Sequence, residues 1–453
     1  MSFLYLLLIG RSLAETSVNS SEKSYLDRGK TEIQSGELNA AQNTLEQCIK
    51  ISKDQEQIDE CQWELGWVHW KNGDWKAVVS TWEDLYSRQP DKDGLERYLN
   101  QSRDNLSLDA LLLNSRDGAQ PTFVSKAPDG ATITIAAVGD MMIGTDFPAG
   151  KLPPQDGEGM FDGVVDALSA DLTFGNLEGP LCDKGKTTKC KPGAAPGSCY
   201  AFRTPSNYIK HYVSAGFDML STANNHASDF GQVCRLETER ILDEAKIAHS
   251  GRPGDIATVN HNDIVVSMIA FSTSRSSHYI NDHKQAAELV SALASKSDIV
   301  IVSFHGGAEG KKALHVPNGR EKFYGEDRGH LRKFTHEMID AGADLILGHG
   351  PHVLRAIEIY NDRLIAYSLG NFATYGRFNL SGPNGLGVVL KATLANDGSF
   401  VSGKLESTKQ INRGIPVMDE TQKSIDLIRM LSSEDFPESG VLVAKDGSIS
   451  KRN

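Results

Sequence analysis

The stretch TITIAAVGD, residues 132–140, is a run of apolar and β-branched side chains that stops at a glycine and an aspartate. Bounded by turn formers, such a run reads as a buried strand. Related runs recur at DLTFGNLEG (171–179), FDMLSTANNH (217–226), DIVVSMIAFS (263–272), DIVIVSFHGG (298–307), DLILGHGPH (344–352) and LIAYSLGNF (364–372). Helical stretches such as CRLETERILDEAKI (234–247) and HLRKFTHEMIDAG (330–342) separate several of them. That alternation predicts an α/β domain from about residue 131. Most of the runs end in polar or glycine-rich residues, and open α/β sheets bind ligands at the carboxyl ends of their strands. Asp140, Glu178, Asn225, His226, His305, His349 and His352 are therefore expected at one edge, though distant in sequence.

At 453 residues the chain exceeds one ordinary core, so two domains are expected. Hydrophobic residues make up 39% and charged ones 23%, an ordinary globular composition. The net charge of −12 argues against nucleic-acid binding, whose footprint is basic. It leaves room for an anionic substrate held by a local positive site. The opening MSFLYLLLIGRSLAETS has an apolar run and then Ser12-Leu13-Ala14, the pattern of a secretory signal peptide cut after residue 14. The run is too short to cross a bilayer, which needs about 20 apolar residues. No transmembrane helix is expected in the mature chain, and its location is expected to be extracytoplasmic. Six cysteines suit that compartment: Cys48–Cys61 is the expected first bridge, with two more among Cys182, Cys190, Cys199 and Cys234.

Residues 20–115 carry helical periodicity broken by glycine-containing turns, SGELNAA and NGDWKAV. With Leu65-Gly66 and Pro90, the second unit resembles a tetratricopeptide repeat, although Gln62 and His69 depart from its aromatic positions. Such repeats imply a protein partner held in a groove. Trp63, Trp67, Trp70, Trp75 and Trp82 read more simply as core and stacking surface than as a ligand box. A turn-rich linker is expected over 116–130, and the α/β domain over 131–445.

STANNHASDFG, residues 221–231, clusters two asparagines, a histidine and an aspartate after an apolar run. Asn and Asp favour turns on their own account. The chemical alternative makes Asn225 a metal ligand, His226 an acid and Asp229 its orienter. Carboxylate, amide oxygen and imidazole together suit Mn, Fe or Zn, as one or two divalent ions, and no thiolate set competes. Ser or Cys nucleophilic catalysis is disfavoured, because no G-x-S-x-G elbow or paired Cys/His segment is present.

AVGDMMIG, GNLEGPL, GFDMLSTANNHASDFG, SFHGGAE, AGADLILGHGPHVLRAIEIY and IAYSLGNF, in that order over roughly 131–415, resemble the motif series of the capsule-synthesis CapA/PgsA family. The resemblance implies a metallophosphatase-like layered α/β fold of the calcineurin type, here preceded by an all-α helical-repeat domain. It also implies a role in poly-γ-glutamate-like capsule polymer biosynthesis. It places Asp140 on a first metal, Glu178 as bridge, and Asn225, His305 and His349 on a second metal. His352 would reach the first metal, with His226 as general acid and Asp229 orienting it. Met142 stands where the wider superfamily has a histidine ligand, Glu178 where it has aspartate, and Gly-His-Gly-Pro-His has one extra residue between its histidines. The first metal position therefore looks depleted.

An anionic envelope polymer or phosphate ester also needs counter-charge. Arg203 in YAFRTP, Glu309 and Asn224 are the expected substrate contacts. Lys311, Lys312, Arg320, Lys322 and Arg328 in the segment 308–333 are further cations, or else a solvated charged loop. Two functions follow. One is a metal-dependent, phosphoesterase-like hydrolase of an envelope polymer; the other is a non-catalytic binding or export accessory with a degenerate metal site.

Overall fold

The computed structural model describes residues 25–116, 123–187, 189–190 and 199–452. The expected signal segment and part of the expected linker lie outside them. The chain divides into two compact units, Met1–Ala110 and Leu111–Asn453.

The described part of the first unit is helical. Helix α1 covers 25–35, followed by α2 (Leu38–Ile51), α3 (Gln55–Asn72), α4 (Trp75–Arg88) and α5 (Leu95–Arg116), the last running on past the unit's end. Asp54 and Asp74 cap α3 and α4, each accepting a backbone N–H of the first turn. Gly73 ends α3 in the left-handed conformation. Gly66 has a packing reason: a Cβ there would fall 1.9 Å from the Trp82 indole nitrogen. Helix α4 thus lies close enough on α3 for Trp82, fully buried, to stack 5.3 Å from Trp63. The tryptophans pack on one another and on Tyr98, as core and stacking surface. Cys48 and Cys61 are joined, bridging α2 to α3.

The second unit is a pair of packed sheets. In chain order its strands are β1 (Thr132–Met142), β2 (Leu172–Leu177), β3 (Met219–Ser221), β4 (Ala248–Ser250), β5 (Ala257–His261), β6 (Ile264–Ser272), β7 (His278–Tyr279) and β8 (Ile299–His305). There follow β9 (Lys322–Phe323), β10 (Glu326–Asp327), β11 (Leu345–His349), β12 (Ile357–Tyr360), β13 (Arg363–Ala366) and β14 (Asn371–Thr374). Last come β15 (Leu386–Ala395), β16 (Phe400–Ile411), β17 (Ile415–Met418), β18 (Val441–Val443) and β19 (Ser448–Lys451). One sheet runs β18-β19-β16-β15-β1-β2-β3-β4 and the other β12-β13-β11-β8-β6-β5.

Alternation along the strands explains the layering. Ile133, Ile135 and Ala137 of β1 share a core with Met268, Ile301 and Leu347 of the other sheet. Ala136 and Val138, on the opposite face, pack with Tyr212 and Leu242 from helices 209–214 and 231–244. The central strands are thereby buried on both faces, which is why they read as continuous apolar runs. The result is the layered, metallophosphatase-like α/β domain expected from the sequence. It is preceded by a helical region.

Candidate metal centre

β1 changes partners at Gly139. Up to Val138 it pairs antiparallel with β15; from Asp140 it pairs parallel with β14, Asp140 facing Asn371. A Cβ at Gly139 would lie 2.0 Å from the Gly370 carbonyl oxygen, so only glycine permits this close approach. Asp140 then donates its N–H to that oxygen at 2.8 Å, and its side chain is fully buried. In the neighbouring strand Asn176 sits opposite it, and Glu178 follows two residues later. The other sheet contributes His305 and His349, the last residues of β8 and β11, in direct register with each other.

These groups converge. Asn176 Nδ2 donates to Asp140 Oδ1 at 2.8 Å and to Glu178 Oε2 at 2.7 Å, bridging two fully buried carboxylates. His352, in a left-handed conformation (φ 56°), places Nδ1 2.8 Å from Asp140 Oδ2. His305 Nε2 lies 3.0 Å from Glu178 Oε2. Ligand atoms of Glu178, His305 and His352 all lie within 4.8 Å of one another. The proximity of His352 to His305 crosses the division into two ligand sets that the resemblance implied.

Electrostatics follow from burial. Burial raises the Asp140 carboxyl, but the adjoining His349 and His352 imidazoles more than reverse this and hold it well below the usual range. Glu178 is pushed up by burial and brought down further by His305, to about 2, with Asp140 opposing. Burial lowers His352, but its bond to Asp140 and the charges of Asp140, Glu178 and Glu309 raise it to about 9. Two buried carboxylates demand positive charge.

The donor set fits a divalent cation. Among the described residues neither ring nitrogen of the buried His349 has a hydrogen-bond partner, its Nδ1 standing 3.4 Å from Asp140 Oδ1. His305 Nδ1 and Asn225 Oδ1 are likewise buried without a hydrogen bond among the described residues. Orphaned imidazole nitrogens beside two carboxylates, with an orphaned amide oxygen next in sequence to His226, are what a borderline-hard metal would satisfy. Met142, two residues beyond Asp140 on the same strand, is buried and adds only a thioether.

Beside this set lies a second polar group. His226 Nδ1 is 2.7 Å from Asp229 Oδ2, and its Nε2 lies 4.0 Å from Glu178 Oε1. Phe202 stacks on the imidazole at 4.2 Å and donates its backbone N–H to Asp229. Lys189 Nζ reaches Asp229 Oδ1 at 2.7 Å and the Asn225 carbonyl at 3.1 Å. Cys190, next to Lys189, is bonded to Cys199, and Cys182 to Cys234, so all six cysteines are paired.

Three expected substrate contacts fare differently. Arg203 is taken up within the protein: its Nε pairs with Asp146 at 2.9 Å and its guanidinium stacks over Phe230. Asn224 is buried, donates to the Leu177 carbonyl and accepts the His226 N–H, so it shapes the turn instead of facing a ligand. Glu309 is beside the centre, 3.2 Å from Arg328 Nη2. Asn176 and Lys189 were not anticipated. Asn176 could have been found from its two-residue spacing to Glu178; Lys189 carries no such signal.

Comparison with known proteins agrees with this architecture. The family profile of the bacterial capsule synthesis protein PGA_cap matches residues 134–375. The chain belongs to this family. A PGA biosynthesis protein CapA of Bacillus subtilis strain 168 is 29% identical over 259 residues, 53% of this chain and 63% of that protein. A "Probable polyglutamine synthesis accessory protein" of Mycobacterium tuberculosis is 28% identical over 235 residues, 46% of this chain and 57% of its own length. This PGA_cap member therefore spans less than two thirds of those curated relatives. Among solved structures, a purple acid phosphatase from yellow lupin aligns over 66% of this chain and 56% of its own, at 12% identity. The TM-score is 0.33, too slight a likeness to carry an argument.

Proposed function

We propose that the second unit is a divalent-metal hydrolytic centre acting on an anionic polymer of the capsule or envelope, outside the cytoplasm. The observation that carries this reading is the convergence of Asp140, Glu178, His305 and His349 from four strand ends, with neither His349 nitrogen hydrogen-bonded among the described residues. The six paired cysteines favour an oxidising compartment. The polymer is inferred from the relatives, whose names refer to PGA and polyglutamine synthesis.

Asp140, Glu178, Asn225, His305, His349 and His352 would hold the metal, with Mn, Fe or Zn suited to those donors. A bound divalent ion supplies Lewis-acid polarisation of an ester, amide or phosphoryl oxygen. Met142 in place of a nitrogen donor favours one tightly held ion over two. His226 carries a proton on Nε2 beside the centre and delivers it to a leaving group. Asp229 holds Nδ1 and Phe202 clamps the ring plane, so the imidazole cannot rotate out of line. Lys189 balances the charge of Asp229. A non-catalytic accessory is the second reading, favoured by Met142 and by a relative whose name calls it an accessory protein of polyglutamine synthesis.

Elemental analysis of purified protein, with hydrolysis of p-nitrophenyl phosphate and polyglutamate, tests the assignment. His226→Ala should keep its metal and lose turnover by about 10²–10⁴-fold, the usual scale of general acid–base catalysis. His349→Ala should lose metal and activity together. Equal metal loss in both variants would make His226 a ligand.

A further inference from the structure

The segment 308–333 carries several cations, and the structure sorts them. Arg320 is paired with Asp327 at 2.7 Å. Arg328 is buried, donates to the Gly307 carbonyl and pairs with Glu309 and Glu326. Lys311, Lys312 and Lys322 are exposed, and none has a carboxylate within ion-pair distance among the described residues. What sets these three apart is where the chain places them.

They stand on a rigid mount next to the metal centre. The Gly310 N–H bonds to the Pro351 carbonyl at 2.8 Å, between His349 and His352, and the Ala313 N–H closes a tight turn onto Gly310. Lys311 and Lys312 are the middle of that turn. The fully buried Arg355 grips both parts of the surface: its Nε donates to the Ala313 carbonyl at 2.7 Å, and its terminal nitrogens bind Glu321 at 2.9 and 2.7 Å. Lys322 follows Glu321 directly and opens the hairpin β9–β10. Two adjacent lysines on a fixed turn repel each other, and a bound anion removes that repulsion.

The hairpin tip supplies a second, independent sign. Phe323 pairs with Glu326, leaving Tyr324 and Gly325 as a two-residue turn with φ of 47° and 83°. Turns with two left-handed residues favour Asn-Gly or Asp-Gly. Here the first place is held by tyrosine, 97% exposed, in a conformation that disfavours it. A strained, exposed aromatic beside unpaired lysines is a contact surface, not a folding element.

We propose that Lys311, Lys312, Lys322 and Tyr324 form a docking surface for an extended polycarboxylate chain, which they lead towards the metal centre. This rests on the reading of the second unit as acting on an anionic polymer. The arginines, whose planar forks suit phosphate, are all occupied within the protein; the free charges are lysines, point charges that need no fixed geometry.

The test is titration of the full-length protein with fluorescent poly-L-glutamate, with neutral dextran and oligothymidylate as comparison polymers and metal content measured in parallel. The wild type should bind polyglutamate in a salt-sensitive manner and ignore dextran. Lys311→Ser/Lys312→Ser/Lys322→Ser should weaken binding about 10- to 100-fold and flatten the salt dependence, with metal content unchanged. Tyr324→Ala should weaken it about 3- to 10-fold with the salt dependence kept. Wild-type affinity in the triple lysine variant would overturn the proposal, as would tighter binding of oligothymidylate than of polyglutamate. A wild type that binds polyglutamate but holds no metal would sink the hydrolytic reading and leave the docking surface standing.

Discussion

Asn176→Ala removes the one side chain that, among the described residues, donates hydrogen bonds to both buried carboxylates of the centre. Its amide nitrogen donates one proton to Asp140 at 2.8 Å and the other to Glu178 at 2.7 Å. Each is a hydrogen bond to a charged acceptor, worth about 1.5–3 kcal/mol. Both oxygens are enclosed, so water replaces the amide poorly. Without added metal the variant should therefore lose about 3 kcal/mol or more of stability, the sum of the two lower values. The effect is larger than that of removing either acceptor alone, because two negative charges are left facing each other. A bound cation satisfies the same oxygens, so metal should restore much of the loss. Affinity for metal should still fall about 10- to 100-fold, the usual cost of removing a group that orients ligands. Urea unfolding in chelator and in metal measures the first effect, and competition with a fluorescent chelator measures the second. Unchanged stability in chelator, or unchanged metal affinity, would refute the bridging role.

His278 is buried with Nδ1 at 3.0 Å from the Ala270 carbonyl, while Nε2 accepts the Gly254 N–H, an arrangement that only the neutral ring satisfies. Burial lowers its pKa from 6.5 to about 4, so the unfolded chain binds more protons between those values. Stability should be full above about pH 6.5 and fall as the pH drops towards 4, by about 2 kcal/mol between pH 7 and 5. Urea unfolding at the two pH values checks this, and a His278→Gln variant with the same pH slope would discount it. Gly66→Ala should destabilise the helical unit by about 1–3 kcal/mol through the clash with Trp82, read by thermal unfolding of the full-length protein. If secreted as expected, mature protein should begin near Glu15, as Edman or mass analysis of exported material would show.

The sequence by itself determined the class of the fold and the identity of the converging residues. Strands buried on both faces must be apolar throughout, so TITIAAVGD, DIVIVSFHGG and DLILGHGPH are legible without a structure. Their polar ends stand out because nothing in a buried strand calls for Asp140, His305 or His349. The long strands β15 and β16 were not legible, since their partly solvated alternation is diluted by lysines and glycine, and only pairing with β1 gives it meaning. Which neighbours a side chain meets was likewise decided by tertiary structure. Asn224 adjoins Asn225 and His226, and Arg203 follows Phe202, yet the Leu177 carbonyl claims the first and Asp146 the second. Asn176 and Lys189 become part of the centre only when strand register and a disulfide-bonded loop bring them to their carboxylates. A residue's chemistry is local, but its partner comes from parts of the chain far removed in sequence. For that reason the candidate donors could be read along the chain, and their pairing could not.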